Sequence, residues 1–174
     1  TRVVRSPAPQ NPAFPYYVLG IQIQLLPSQD DIFLLNIDEN GNINWKKLFN
    51  STSDDEYSKG MEVLPNGDLL LAGNISTGGL VVRVNNAGTS LPGFSVNNAQ
   101  LYFTAITASP DGNFFTTGVT FTTNIPHLTK YNTDFQVQWD RTIPFLTALN
   151  QVWLEPGGGI YALGLAPVNG ISRS

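Results

Sequence analysis

A proline followed eight residues later by a glycine recurs four times, and this repeat is the feature that most limits how the chain can fold. The pairs are Pro12 and Gly20, Pro65 and Gly73, Pro110 and Gly118, and Pro156 and Gly164. Successive closing glycines are separated by 53, 45 and 46 residues. A near-constant period of this length indicates an architecture built from repeated supersecondary units.

Within each repeat, short apolar runs alternate with turn residues. The segments MEVLPNG, AITASPDG and VWLEPGG each predict a strand that ends in a turn, because proline presets φ and glycine accepts a positive φ. We therefore expect Gly67, Gly112 and Gly158 to occupy equivalent turns, each between the first and second strands of a unit. No segment carries apolar residues at helical spacing over ten or more positions. The sequence predicts an all-β protein with four strands in about 46 residues.

Four-stranded units of this length are typical of β-propeller blades, of which four to eight close a ring. The sequence predicts an incomplete ring made of a partial blade 12–50, blades 57–97 and 101–143, and a partial blade 147–174, after an extended N-terminal segment 1–11. The first strand of the first blade is either built from TRVVR or absent. Gly170 is predicted to open a last strand, ISRS. We expect further blades of the same polypeptide, or a protein partner, to complete the ring.

Residues 53–88, SDDEYSKG through NNAG, resemble the bacterial β-propeller repeat of the SBBP type, which occurs in secreted and surface proteins. The resemblance is carried by the acidic pair Asp54 and Asp55, by the glycine turns and by Arg83 at a basic position. Lys130 matches that basic position in the next unit, whereas Asn36 replaces it in the first. The resemblance implies a propeller fold and an extracellular or cell-surface location.

The composition excludes several classes of function. Charged residues make up 13% of the chain and the net charge is −4, so no basic stripe is available for phosphates and nucleic acid is not an expected partner. The absence of cysteine excludes disulfides and thiolate chemistry. No apolar run reaches 18 residues, so no membrane-spanning segment is predicted.

Three motifs contain residues that could bind a metal ion or take part in catalysis, and for each of them the sequence favours a structural role. Asp54, Asp55 and Glu56 supply oxygens that suit Ca²⁺, but carboxylates in such a loop more often cap backbone amides. The run DENGN, residues 38–42, alternates oxygen ligands, yet it fits an Asn-Gly hairpin better. His127 is the single histidine and has no evident metal or triad partner. No catalytic residue, cofactor or metal site is therefore predicted.

Eight aromatic residues are candidates either for stacking on sugars or for the core. They are Trp45, Trp139, Trp153, Tyr16, Tyr17, Tyr57, Tyr102 and Tyr161. Trp45 and Trp139 recur at one strand position, which predicts that both are largely buried between blades. Asn50 and Asn74 begin Asn-x-Ser/Thr sequences that fit the glycosylation acceptor pattern.

These observations favour a non-enzymatic extracellular propeller segment that serves as a scaffold or protein-interaction module. One alternative is a carbohydrate-binding propeller that uses exposed aromatic residues, so a glycan is a second possible ligand. The other is part of a larger polysaccharide-active enzyme whose catalytic residues lie outside this chain. Burial of all eight aromatic residues would argue against sugar binding.

Overall fold

The chain forms antiparallel β-sheets throughout the part that the structure describes. This computed structural model describes residues 2–6, 11–23, 30–49 and 55–167, in which fourteen strands and no helix are present. The strands are β1 (Arg2–Arg5), β2 (Tyr16–Ile23), β3 (Asp30–Ile37), β4 (Ile43–Phe49), β5 (Tyr57–Val63), β6 (Leu69–Ile75), β7 (Gly78–Val84), β8 (Ser90–Asn98), β9 (Leu101–Ala108), β10 (Phe114–Thr120), β11 (Pro126–Tyr131), β12 (Val137–Thr142), β13 (Ala148–Leu154) and β14 (Ile160–Leu165). The prediction of an all-β chain is confirmed.

The strands assemble into one sheet per repeat. Strands β1–β4, β5–β8 and β9–β12 form three four-stranded sheets in which neighbours along the chain pair, and β13 pairs with β14 alone. The middle two sheets lie within a residue of the predicted boundaries. The first sheet has four strands because Arg2–Arg5 pairs with β2, so residues 2–5 are a strand rather than part of an extended segment. Gly170 and ISRS lie outside the described residues.

The first hairpin of each later unit is built identically. Gly67, Gly112 and Gly158 have φ values of 86°, 83° and 87°. The N–H of each donates to the carbonyl three residues earlier, at N···O distances of 2.8, 2.9 and 2.9 Å. Because L residues are strained in this left-handed conformation, the repeated glycine is a backbone requirement. The predicted equivalence of these three turns is confirmed.

The second hairpins also share one geometry, with one exception to the glycine rule. Gly41 and Gly88 have positive φ, and Phe135 occupies the same place in the third sheet with a φ of 64°. The side-chain oxygens of Asp38, Asn85 and Asn132 start these turns by accepting two backbone N–H bonds each. Phe135 is held in the strained conformation while its ring packs on Phe114, with centroids 4.8 Å apart.

A β-bulge explains why a glycine closes each of the last three repeats. In β5, β9 and β13 the ladder skips one residue opposite the closing glycine: Lys59, Thr104 and Asn150 respectively. A Cβ at Gly73, Gly118 or Gly164 would lie 2.8, 2.5 or 2.2 Å from a carbonyl oxygen of the bulged strand. These approaches are too close for any side chain. In the first sheet β1 has no bulge, and at Gly20 the ring of Phe33 fills the space instead.

The core consists of apolar layers between successive sheets, because the middle strands of a sheet bury both faces. Leu69 and Leu71 pack towards the first sheet, whereas Leu70 and Ala72 pack towards the third. A smaller layer around Phe115 separates the third sheet from β13 and β14. Each layer also receives the first strand of the following sheet: β5 contacts β1–β3, β9 contacts β5–β7, and β13 contacts β9–β11.

Candidate functional site

The acidic loop serves a structural role at the junction of the first two sheets. Asp55 Oδ1 accepts the backbone N–H of Asp30 at 3.1 Å, and the N–H of Glu56 donates to the Asp30 carbonyl at 2.7 Å. The Glu56 side chain is buried, and Asp54 lies outside the described residues. Within the part of the chain that the structure describes, no three metal-binding side chains come together.

The DENGN run is a hairpin turn between β3 and β4. Asp38 accepts bonds from the backbone N–H groups of Asn40 and Asn42, each at 2.8 Å, and from the Asn42 side-chain amide at 2.7 Å. The hydrogen bond from the Asn42 side chain, with backbone bonds that add to it, lowers the pKa of the Asp38 carboxyl below its ordinary value. The carboxylate oxygens therefore close the turn, as the structural alternative predicted.

His127 is buried and belongs to a hydrogen-bonded group on β11 and β12. Its Nδ1 lies 2.8 Å from Asp140 Oδ2, and the hydroxyl of Thr129 donates to Asp140 Oδ1 at 2.7 Å. Asp140 thus joins two side chains of the neighbouring strand. This arrangement ties β11 to β12 in the outer part of the third sheet.

The basic position of the repeat also has a structural use. Nε and Nη2 of Arg83 both donate to Asp68 Oδ2, at 2.9 and 2.7 Å, which ties β7 to the first hairpin of its sheet. Lys130 Nζ lies 5.6 Å from the centroid of the Phe115 ring. Asn36, at the same position of the first sheet, donates to the carbonyls of Phe14 and Tyr16. Each of the three side chains holds neighbouring strands of its own sheet together.

Trp45 and Trp139 are partly buried and each packs against an apolar core layer, in agreement with the expectation that both are largely buried. Trp45 lies on the second sheet at Gly88, where any Cβ would meet its ring, and it packs near Tyr17 at 6.0 Å between centroids. Trp139 packs near Phe115 at 5.9 Å. No hairpin equivalent to that of Gly88 covers Trp139 in the described part of the chain, which leaves its ring partly open.

The other aromatic candidates divide between core and surface. Tyr17 is fully buried, and burial raises the pKa of its phenol, whose hydroxyl donates to the Asn86 carbonyl at 3.0 Å. Tyr16 and Tyr102 are half-buried. The exposed members are Tyr57, Trp153 and Tyr161. Three of the eight aromatic residues are thus exposed. Burial of all eight would have argued against sugar binding, and that is not observed.

Asn74 is a packing residue and not an accessible glycosylation site in the folded chain. Its amide nitrogen donates to the carbonyl of Phe103 at 3.0 Å, and its oxygen accepts the Phe103 N–H at 2.7 Å. The side chain is 7% exposed. Asn74 therefore connects the second sheet to the third through both of its polar atoms. Asn50, the other acceptor, lies outside the described residues.

The outer face of the last sheet is apolar and open to solvent. We call it the end face and define it by Trp153, Tyr161, Leu163 and Leu165, which are 47%, 47%, 54% and 58% exposed. The rings of Trp153 and Tyr161 stack at 5.8 Å. At the position of Tyr161, the second and third sheets have Leu70 and Phe115, and both are buried by the following sheet.

A second open surface lies where the β6–β7 and β10–β11 hairpins meet the β8–β9 connection. This threonine-rich cleft has a volume of about 390 Å³ and is lined by Ser76, Thr77, Ala99, Gln100, Thr120, Phe121 and Thr122. Phe121 is 50% exposed, and its ring lies 4.7 Å from that of Tyr102. Sequence reasoning named Tyr102 but missed Phe121, although an aromatic residue inside the polar run TFTTN was a usable signal.

A third opening lies along the edge of the stack where the first strands of the sheets meet. It is also about 390 Å³ in volume, and its polar lining comes from Arg2, Lys59, Thr104, Asn150 and Gln151. Arg2 donates to Glu62 Oε1 at 2.7 Å. Burial raises the pKa of the Glu62 carboxyl, and the guanidinium of Arg2 opposes this effect.

The comparisons bear on the fold alone. No family model and no curated protein matches the sequence. The fold is similar to solved structures, among them that of a protein of unknown function from Bacteroides caccae, with 15% identity and a TM-score of 0.50. That match covers 75% of this chain and 47% of the other, so the chain spans about half the length of its structural neighbour. No helix long and apolar enough to cross a membrane occurs among the described residues.

Proposed function

We propose that the sheets are successive blades of a β-propeller and that the chain serves as a non-enzymatic scaffold or interaction module in a secreted or surface-exposed bacterial protein. The observation that carries this proposal is the end face. Its central residues, Tyr161 and Leu163, stand at positions that are buried in both the second and the third sheets. A further sheet, from the same polypeptide or from a partner, would remove this apolar surface from water.

The contacts between sheets support the propeller arrangement. Each following sheet approaches the previous one through its first strand, so the first strands gather along one edge of the stack. In a propeller the first strand of every blade lines the central axis, and blades diverge outwards. The low share of charged residues and the resemblance to secreted repeat proteins support the location.

Burial of the end face is tested by chemical labelling at its centre. The chain has no cysteine, so Leu163→Cys places a single thiol on this face and Val137→Cys places one on the exposed outer strand β12. In the polypeptide at its native length, we expect alkylation of Leu163→Cys to be at least tenfold slower than that of Val137→Cys, because a covered side chain reacts only after local opening. Equal rates would overturn the proposed blade stacking.

A second candidate function is favoured by the threonine-rich cleft: binding of a neutral carbohydrate. Phe121 offers an exposed ring face, and hydroxyl and amide groups surround it. None of the residues that line this cleft is charged. An aromatic platform with a few hydrogen-bonding groups is the usual construction of a site that orients a small polar ligand.

The carbohydrate hypothesis is tested with Phe121→Ala on a glycan array. If the ring stacks on a sugar, its removal should weaken binding of any retained neutral glycan by about tenfold. Phe145→Ala is the matched control, because Phe145 is 71% exposed and does not line the cleft. Binding that survives the loss of Phe121, or the absence of any bound neutral glycan, would remove this candidate.

A further inference from the structure

The β-bulges bring three repeat-related side chains to one place. Lys59, Thr104 and Asn150 each stand fourteen residues before a closing glycine, and each is the residue that the strand ladder skips. A bulge locally changes the direction of a strand and re-aims the extra side chain, which is why bulges are frequent next to binding sites. Here the same device is used in three consecutive sheets.

All three bulged residues line the opening at the inner edge of the stack, which we call the inner cleft. Arg2, from β1, lines it as well, so the first strand of every sheet contributes at least one polar side chain. Polar side chains from four separate segments of the chain therefore converge at the inner cleft. Such convergence of polar groups on a concave surface is characteristic of ligand sites.

The inner cleft carries positive charge in an acidic protein. Two of the nine basic residues, Arg2 and Lys59, line it, and no carboxylate is among its described lining residues. Glu62 neutralises Arg2 through their ion pair, which leaves the ammonium of Lys59 as the uncompensated charge of the lining. The side-chain amides of Asn150 and Gln151 add neutral hydrogen-bond donors.

We propose that the inner cleft binds an oxyanion group, a carboxylate or a phosphate, carried by a small ligand. The Lys59 ammonium provides the charge, and Asn150 and Gln151 donate hydrogen bonds to the oxygens that Lys59 does not contact. The hydroxyl of Thr104 is already committed to the carbonyl of Leu149, so Thr104 holds the third and fourth sheets together at the floor of the site. Arg2 lines the site as well, and its ion pair with Glu62 holds the guanidinium in place.

The test is a titration of the native-length protein followed by heteronuclear NMR. The probes are glucuronate, inorganic phosphate and, as the neutral counterpart of the first, glucose. We expect saturable shifts of the Asn150 and Gln151 side-chain amide signals with at least one anion and none with glucose. Preference for glucuronate identifies a carboxylated ligand, and preference for phosphate identifies a ligand that carries a phosphate group. Higher ionic strength should weaken either interaction.

Three variants complete the experiment. Lys59→Gln should weaken anion binding about tenfold, and Asn150→Ala about threefold, since charged hydrogen bonds contribute more than neutral ones. Lys47→Gln removes an exposed lysine from the outer strand β4 and should leave the affinity unchanged. The proposal is overturned if neither anion binds, if glucose binds equally well, or if Lys59→Gln and Lys47→Gln have the same effect.

Discussion

Replacement of Gly118 by alanine is expected to lower the free energy of unfolding by about 3 kcal/mol, because the new methyl group has no space. Its carbon would lie 2.5 Å from the carbonyl oxygen of Tyr102 and 3.3 Å from the carbonyl carbon. Both atoms belong to the backbone of the bulged strand β9, so relief requires movement of a strand that packs against the second and fourth sheets. Chemical denaturation of the two proteins measures the difference.

Gly157→Ala is the matched control for this substitution. A Cβ at Gly157 meets no atom within 4 Å, and its φ is not in the left-handed region. We expect its stability to change by less than about 0.5 kcal/mol. If Gly118→Ala were as mild as the control, the close approach of the bulged strand would not be the reason that a glycine closes each repeat.

Phe114→Ala is expected to cost about 3 to 5 kcal/mol, the range of a phenylalanine lost from a packed core. Phe114 is completely buried between the second and third sheets. Its ring stacks on Tyr131 with centroids 4.8 Å apart and planes 8° apart, and it also supports Phe135. The substitution removes the contact that accompanies the left-handed conformation of Phe135, so the β11–β12 hairpin should lose protection from hydrogen exchange as well.

Phe145→Ala provides the comparison, because it deletes the same ring from an exposed loop. Its effect should stay within about 0.5 kcal/mol. The loss in free energy of unfolding for Phe114→Leu should lie between those of Phe114→Ala and Phe145→Ala, since leucine fills part of the volume of the phenylalanine ring. A loss in Phe114→Ala confined to global stability, with the hairpin exchanging as before, would show that Phe135 holds its backbone conformation without this ring.

The candidate binding surfaces are harder to predict from the sequence than the turns are. The acidic loop, the DENGN turn and His127 were singled out because their residue types are rare or chemically suggestive, and all three serve local structure. The inner cleft was missed because Lys59, Thr104 and Asn150 share no residue type. What they share is their position, fourteen residues before a closing glycine. Only the strand register shows that the residue at this position is the one in the bulge.

The sequence by itself determined the repeat, the all-β class and the first hairpin of each later unit. Glycine at Gly67, Gly112 and Gly158 specifies a left-handed backbone through its own φ preference, and the flanking prolines fix the turn from within the same few residues. These are local properties of the chain. They can be predicted from the sequence because no distant residue is needed to produce them.

The tertiary structure alone decided which residues the ladder skips, which strand completes the first sheet and which faces stay open. Arg2–Arg5 becomes a strand because β2 offers it an edge, and Phe135 adopts a glycine conformation beside Phe114. The exposure of Tyr161, at a position where Leu70 and Phe115 are buried, depends on whether another sheet lies against it. Register and burial arise from contacts between residues far apart in the chain, so no local preference encodes them.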